Sequence, residues 1–277
     1  MSYASFKPTL WATGVEHNFP KLNVFAGLAN RAFEGEVKYG NQIVINSIGE
    51  VTVNDYTGTV NYEDLDDFAL SMNIDQKKYF GVNIPDIDKV QSKPDLMKAA
   101  QEEIGKSIAN NPDEYMAGLY AQAGLESGST GSPVSITSAN IISTLGTVRD
   151  KLKDNRVRDG LVAVLPPWML TKIDYGRIQK DTNNSAILTA GYKGSFMGFD
   201  IYESDNISHS GTSWYAPMFF SRAKTFGFAM QLQEVEAGRK ESSFTDYLRG
   251  LMVYGAKVYR PDSLCTLYCA NGSETGL

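Results

Sequence analysis

The sequence predicts an α+β protein with an N-terminal arm, a long extended β-hairpin, a peripheral lobe that carries a long spine helix, and a central α/β lobe. Three observations lead to this prediction. Two segments of alternating apolar residues flank a polar stretch, a capped helical pattern follows them, and a second helical pattern and a short apolar run come after a Gly/Ser-rich stretch. A chain of 277 residues is also long enough to form two lobes.

The composition is that of a globular protein, with 42% hydrophobic and 21% charged residues. The apolar runs are far shorter than the roughly 20 residues that a bilayer span needs, and residues 1–10 lack the pattern of a secretory signal. The net charge is −6 and the 26 basic residues are dispersed, which argues against a reader of nucleic-acid sequence. We therefore expect a cytoplasmic chain with no membrane partner.

The first 39 residues predict an arm that lies on another part of the structure. Prolines and glycines interrupt this segment, and its aromatic residues follow neither a helical nor a strand period. Such a segment has anchoring side chains but little core of its own. The aromatic residues in question are Phe6, Trp11, Phe19, Phe25 and Phe33.

Residues 40–84 predict the extended hairpin. Apolar residues alternate from Gln42 to Val53 and again from Phe68 to Ile84, with a polar stretch between the two segments. A lone two-stranded ribbon is only marginally stable in water and its free edges invite pairing. We therefore expect something outside the hairpin to cover it.

Residues 85–132 predict the spine helix and its lobe. Ser92 can cap a helix, Pro94 suits its first turn, and apolar residues recur on one face as far as Ile108. Pro112 opens a second helical pattern, which predicts either a kink or two helices in series. The composition from Gly124 to Ser132 predicts a flexible linker between the lobes.

Residues 133–220 predict the central lobe, and residues 221–277 predict further strands followed by a C-terminal tail. The central lobe begins with an amphipathic helix capped near Thr137, continues with a buried strand in "GLVAVLPP", and adds a short helix from "WMLTKI". Apolar residues alternate again from Thr225 to Val235, and the run "LMVYGAKVYRPD" predicts a final strand.

The sequence predicts no catalytic residue, no cofactor and no metal site. Cys265 and Cys269 lack the second pair or nearby histidine that a metal site requires. A hydrolase using Asp205, Ser208 and His209 is one alternative, although such close neighbours in sequence rarely reach triad geometry. The carboxylates between residues 63 and 67 lack the spacing of a calcium loop.

Charge patterning instead predicts contacts between subunits. No lysine or arginine occurs between Tyr39 and Gln76, whereas the central lobe concentrates positive charge after residue 148. A negative ribbon and a positive surface can choose and orient each other, although two independently solvated faces remain the alternative. The candidate interface residues are Glu50, Asp55, Glu63, Asp64, Asp66, Asp67, Arg149, Lys151, Lys153, Arg156 and Arg158.

The order of these segments resembles the major capsid proteins of tailed phages, which share the Hong Kong phage type of shell fold. The resemblance covers nearly the whole chain from about residue 30 onward. It is carried by "LSMNIDQKKYFGVNIPDID", "GLVAVLPP", "GFDIYESDNI" and the closing run in which Gly255-Ala256-Lys257-Val258 precedes Arg260-Pro261. It implies that the chain returns to the peripheral lobe and completes a sheet beneath the spine helix.

The resemblance also implies a function without an active site. Copies of the chain would assemble through pentamers and hexamers into an icosahedral virion capsid in the bacterial host cytoplasm, around double-stranded DNA that they contact non-specifically. Portal and scaffolding proteins are the other implied partners. Some family members join subunits covalently through a lysine on the long loop, and the hairpin here has no lysine between Tyr39 and Gln76.

An encapsulin-like compartment, which shares this fold but encloses protein cargo, is the closest alternative. Such shells have an N-terminal helix that docks cargo, and this segment is interrupted by Pro8, Gly14 and Pro20. The interruption favours the virus.

Overall fold

A computed structural model describes residues 24–32, 42–48, 55, 67–85, 104, 107–108, 110–180, 195–240 and 245–274. Residues 110–117 are helical and lead into a 3-10 helix, Gly118–Gln122. The other helices in these ranges are α1 (Phe25–Leu28), α2 (Ile141–Asp154), α3 (Pro167–Lys180) and a second 3-10 helix, Pro261–Ser263. The strands are β1 (Gln42–Ile48), β2 (Asp67–Asn73), β3 (Gln76–Pro85), β4 (Leu125–Ser127), β5 (Val134–Ile136), β6 (Leu161–Leu165), β7 (Ser195–Phe196), β8 (Phe199–Glu203), β9 (His209–Ser210), β10 (Trp214–Tyr215), β11 (Met218–Ser221), β12 (Phe226–Arg239), β13 (Thr245–Val258), β14 (Leu264–Leu267) and β15 (Cys269–Asn271).

The central lobe is built on a six-stranded sheet with the order β4-β14-β11-β6-β8-β7. Its strand β6 is buried along its whole length. Leu161, Ala163 and Leu165 pack with α2 and α3 on one face, while Val162 and Val164 join the second core on the other face. Both faces of the sheet are covered, which is why the run is continuously apolar and does not alternate. A second, four-stranded sheet has the order β5-β15-β10-β9.

The peripheral lobe is built on a three-stranded antiparallel sheet with the order β12-β13-β3. The helical residue Met116 shares a core with Phe228, Met252 and Tyr254 of this sheet. Because side chains alternate between the faces of a strand, Met252, Tyr254, Ala256 and Val258 of β13 all face this core. The three-stranded sheet thus packs against the helical residues 110–117.

The segment from Phe68 to Ile84, predicted as one returning strand, is two strands in different sheets. β2 pairs with β1 in antiparallel register, and β3 pairs with β13. The break falls at Ile74 and Asp75, where Ile74 enters a small core with Ile43, Met72 and Val253. Residues 49–54 and 56–66 of the predicted hairpin lie outside the described residues.

The segment predicted as a flexible linker is ordered. Leu125–Ser127 forms β4, which pairs in parallel with β14, and the backbones of Ser129 and Ser132 bond to each other in both directions. The Gly/Ser composition favours a flexible linker, but it carries no information about the distant strand that pairs with this segment. Residues 221–277 contribute to both lobes, because β12 and β13 lie in the peripheral sheet and β14 lies in the central one.

Two helix boundaries also differ from or refine the predictions. The helix predicted from about Thr137 begins at Ile141, because residues 138–140 form a turn in which Asn140 Oδ1 accepts the Thr137 N–H at 2.8 Å. Residues 110–117 are helical through Pro112. The predicted start of the spine helix, from Ser92 to residue 103, lies outside the described residues.

Candidate subunit interface

The acidic candidates belong to the hairpin. Asp55 is exposed. Asp67 is the first residue of β2, at the opposite end of the β1–β2 pair from Asn73. Glu50, Glu63, Asp64 and Asp66 lie outside the described residues. Their role as contacts with another subunit therefore stays a prediction.

The basic candidates divide into two groups. Arg149 contacts the neighbouring Asp150 at 3.3 Å, and Lys151 Nζ donates to the Glu126 carbonyl at 2.7 Å. These two side chains thus have partners within their own lobe. The other group, at and beyond the end of α2, is exposed to solvent and consists of Lys153, Arg156 and Arg158.

Two further cations, Arg222 and Lys224, lie beside this second group. β6 and β11 are antiparallel with Leu161 opposite Ser221, so the residues before β6 meet the residues after β11. The Arg222 N–H donates to the Gly160 carbonyl at 2.8 Å, and the Ser221 hydroxyl donates to the Asp159 carbonyl at 2.8 Å. The sequence analysis missed these cations because about 60 residues separate the two loops.

The base of the hairpin is held on the peripheral sheet by specific contacts. We call this contact region the hairpin root. Lys257 Nζ donates to the Ser71 carbonyl at 2.8 Å, and the Tyr259 hydroxyl donates to the Met72 sulfur at 3.6 Å. Burial raises the pKa of Tyr259 to about 12, so its hydroxyl keeps the proton that it donates. Gly255 completes the root, because only a residue without a side chain allows the backbone of Asn73 to approach so closely.

Asp113 joins three parts of the chain. Its Oδ1 accepts the N–H groups of Val24 and Phe25 from the arm, at 3.1 and 2.8 Å. Its Oδ2 accepts from Ser204 and Asn206 of the central lobe, at 3.3 and 3.1 Å. The side chain is buried, and this burial raises its pKa above the ordinary value although all four hydrogen bonds favour the charged form.

The chain returns to the central lobe at its C-terminal end. The buried Lys172 donates to the carbonyls of Ile136 and Gly272 at 2.6 Å each and pairs with Glu274 at 3.3 Å. Glu274 also accepts from the Ser138 hydroxyl at 2.7 Å, and the hydrogen bonds from Ser138 lower the pKa of this carboxyl. These contacts hold residues 271–274 against α3 and β5.

The residues that the sequence offered as catalytic or metal-binding candidates make other contacts or are buried in the fold. The Ser208 hydroxyl donates to the Ala117 carbonyl, and His209 Nδ1 lies 3.0 Å from the Ile207 carbonyl, so the two side chains do not bond to each other. Burial raises the pKa of Cys265 to about 11 and that of Cys269 to about 12, which leaves both thiols protonated at neutral pH. Within the described ranges, no cluster of three metal-ligating side chains occurs and no helix is long and apolar enough to cross a membrane.

Exposed apolar side chains lie on the peripheral sheet, on the face opposite the helical residues. Tyr79 is 86% exposed and stands directly across from Leu251, which is 37% exposed. Val44 on β1 is 57% exposed. Two adjoining exposed apolar residues on a sheet face are a surface that a partner can cover. The sequence shows Tyr79 and Leu251 only as members of alternating runs, without indicating that they adjoin.

Comparison with known proteins assigns the fold. The sequence profile described as phage capsid protein matches residues 69–267. Among solved structures, one from Mycobacterium phage Che8 is 26% identical, with a TM-score of 0.74 over 88% of this chain and 90% of that chain. The capsid of cyanophage P-SCSP1u is 17% identical, with a TM-score of 0.69 over 90% of this chain and 89% of that chain.

A third structure, the mature capsid of bacteriophage PhiM1, is 13% identical, with a TM-score of 0.67 over 91% of this chain and 88% of that chain. None of the curated protein sequences matches this chain. The profile covers well over half of the sequence, and the likeness in structure extends over both lobes. The chain therefore belongs to the phage capsid protein family, and it is a major capsid protein, a component of a virion shell built from many copies of itself.

Proposed function

We propose that the chain assembles through hexamers and pentamers into a closed icosahedral shell that encloses the double-stranded DNA of a tailed phage or prophage. The observation that carries this proposal is the hairpin. Its sheet has two strands, β1 and β2, within the described residues, and its root is attached to the peripheral lobe. A two-stranded sheet alone is marginally stable, so neighbouring subunits supply the cover that the hairpin needs.

The exposed apolar residues of the peripheral sheet support the same proposal. Burying an aromatic side chain such as Tyr79 in a contact between subunits stabilises the assembly by about 1.5–3 kcal/mol. A closed shell repeats each contact many times, so individually weak contacts add up to a stable particle.

Portal and scaffolding proteins are the proposed partners during assembly in the cytoplasm of the host. The DNA is contacted non-specifically, and a net charge of −6 suits that role because strong general affinity for phosphates requires clustered cations.

The contents of purified particles test the proposal. We expect nuclease-protected double-stranded DNA after packaging, whereas a protein cargo without DNA would instead support the compartment alternative.

We predict that the shell contains no covalent link through the hairpin, because residues 40–75 contain no lysine. Particles boiled in denaturant and separated by electrophoresis should give one band at the monomer mass of 30.5 kDa. A ladder of multiples of that mass would contradict the prediction.

A further inference from the structure

Two loops that are distant in sequence form one cationic surface at an edge of the central lobe. We call it the two-loop patch and define it as Arg156, Arg158, Arg222 and Lys224, all of which are exposed. One loop follows α2 and the other follows β11. One carboxylate beside these cations, Asp159, pairs with Lys224 at 4.0 Å, and this pair is weak because both side chains are exposed.

Tight turns and hydrogen bonds hold the backbone of the two loops under the patch. Arg156 and Ala223 have φ angles of 62° and 56°, so each loop turns tightly through a left-handed residue. Gly160 has a φ of 58°, and a side chain there would meet Arg222 Cβ at 3.6 Å. The hydrogen bonds from Arg222 and Ser221 then join the loops. The cations are thus presented in a constant arrangement by two loops that support each other.

We propose that the two-loop patch binds the acidic stretch between Glu50 and Asp67 of the hairpin of a second copy of the chain. This inference rests on the proposed shell assembly and names one contact within it. The acidic stretch contains Glu50, Asp55, Glu63, Asp64, Asp66 and Asp67 and has no lysine or arginine, so it complements a surface that carries four cations. Complementary charges of this kind orient partners and reject wrong registers.

This assignment differs from the interface that the sequence predicted. Arg149, Lys151 and Lys153 lie on α2 and not in either loop, so they are not part of the patch. Arg222 and Lys224 take their place. The contact lies on the central lobe, and it brings together the hairpin of one copy and the loop edge of another.

Charge reversal in trans tests the proposal. One variant reverses the patch with Arg158→Glu, Arg222→Glu and Lys224→Glu, and a second reverses the hairpin with Glu63→Lys, Asp64→Lys and Asp66→Lys. We expect each variant alone to lower the particle yield about tenfold or more, because like charges then face each other at every copy of the contact. Mixing the two variants should raise the particle yield above that of either variant alone, since each then offers the surface that the other lacks.

A chain that carries both reversals is the matched control, because it contains every substitution and keeps the complementarity. It should assemble like the wild type, with an unchanged circular dichroism spectrum. Rescue by the double reversal without rescue by mixing would place the contact within one chain and overturn the proposal. A patch reversal that leaves particle yield unchanged but lowers packaged DNA would assign the patch to nucleic acid. If wild-type chains form no particles even when they are expressed with a scaffolding protein, the proposed function itself fails, which is a different outcome.

Discussion

Replacing Gly255 by alanine should lower the melting temperature of the assembled particles by about 6 °C and reduce their yield. A Cβ at this position would overlap the Asn73 carbonyl oxygen and lie 3.0 Å from the Ile74 Cα. Both obstacles are backbone, so neither can rotate away, and one strand must shift. Such overpacking costs about 3 kcal/mol, which corresponds to about 6 °C for a chain of this size. The shift also tilts the hairpin at its root.

Gly81→Ala is the matched control for this prediction. Gly81 lies in β3 of the same sheet, and a Cβ there would meet no atom within 4 Å. We expect this variant to stay within about 0.5 kcal/mol of the wild type. Scanning calorimetry at one fixed heating rate measures both variants. Equal melting temperatures for Gly255→Ala and Gly81→Ala would show that the close approach at the hairpin root does not contribute to stability.

Replacing Asp113 by alanine should destabilise the chain by about 2–4 kcal/mol. The N–H groups of Val24 and Phe25 would lose their acceptor, as would the side chains of Ser204 and Asn206. All of these partners lie in or next to a packed core, where water is poorly placed to replace the carboxylate. We expect residues 24–32 to become sensitive to protease, which limited proteolysis followed by mass spectrometry measures.

Two variants accompany this experiment. Glu114→Ala removes an exposed carboxylate from the next position and should change stability by less than about 0.5 kcal/mol. Asp113→Asn keeps an oxygen that can accept from the arm and should therefore be milder than alanine. If Asp113→Ala proved as stable and as protease-resistant as Glu114→Ala, the junction would not hold the arm.

Asp113 also gives the stability a pH dependence with a definite sign. Burial raises its pKa in the folded chain above the ordinary value of 3.8, so the folded chain binds this proton more tightly than the unfolded chain. The free energy of unfolding that this group contributes therefore falls as the pH rises from about 3.8 through the folded pKa. The difference between wild type and Asp113→Asn should show this trend.

The elements that the sequence predicted well are those whose partners leave a local pattern. β6 is continuously apolar because both of its faces are covered. β12 and β13 alternate because one face meets the core around Met116. In both cases the burial pattern is the same along the whole strand. The sequence of the strand alone is therefore enough to predict it.

The features that the sequence analysis missed depend on contacts across long distances in the chain. Apolar residues occupy even-numbered positions on both sides of the interruption at Gln76 and Lys78, so the pattern does not show that the two halves belong to different sheets. Asp113 follows Pro112 and is typical of a residue at a helix start, whereas its partners lie 88 to 93 residues away. Arg222 and Lys224 similarly join the two-loop patch only through the pairing of β6 with β11.

Electron microscopy of the purified full chain, expressed with and without a scaffolding protein, tests whether copies of the chain build a shell. We expect closed particles of uniform size in which each subunit has the two-lobed fold and its hairpin lies on another copy. A chain that stayed a protease-resistant monomer of 30.5 kDa at every concentration and under both expression conditions would contradict it.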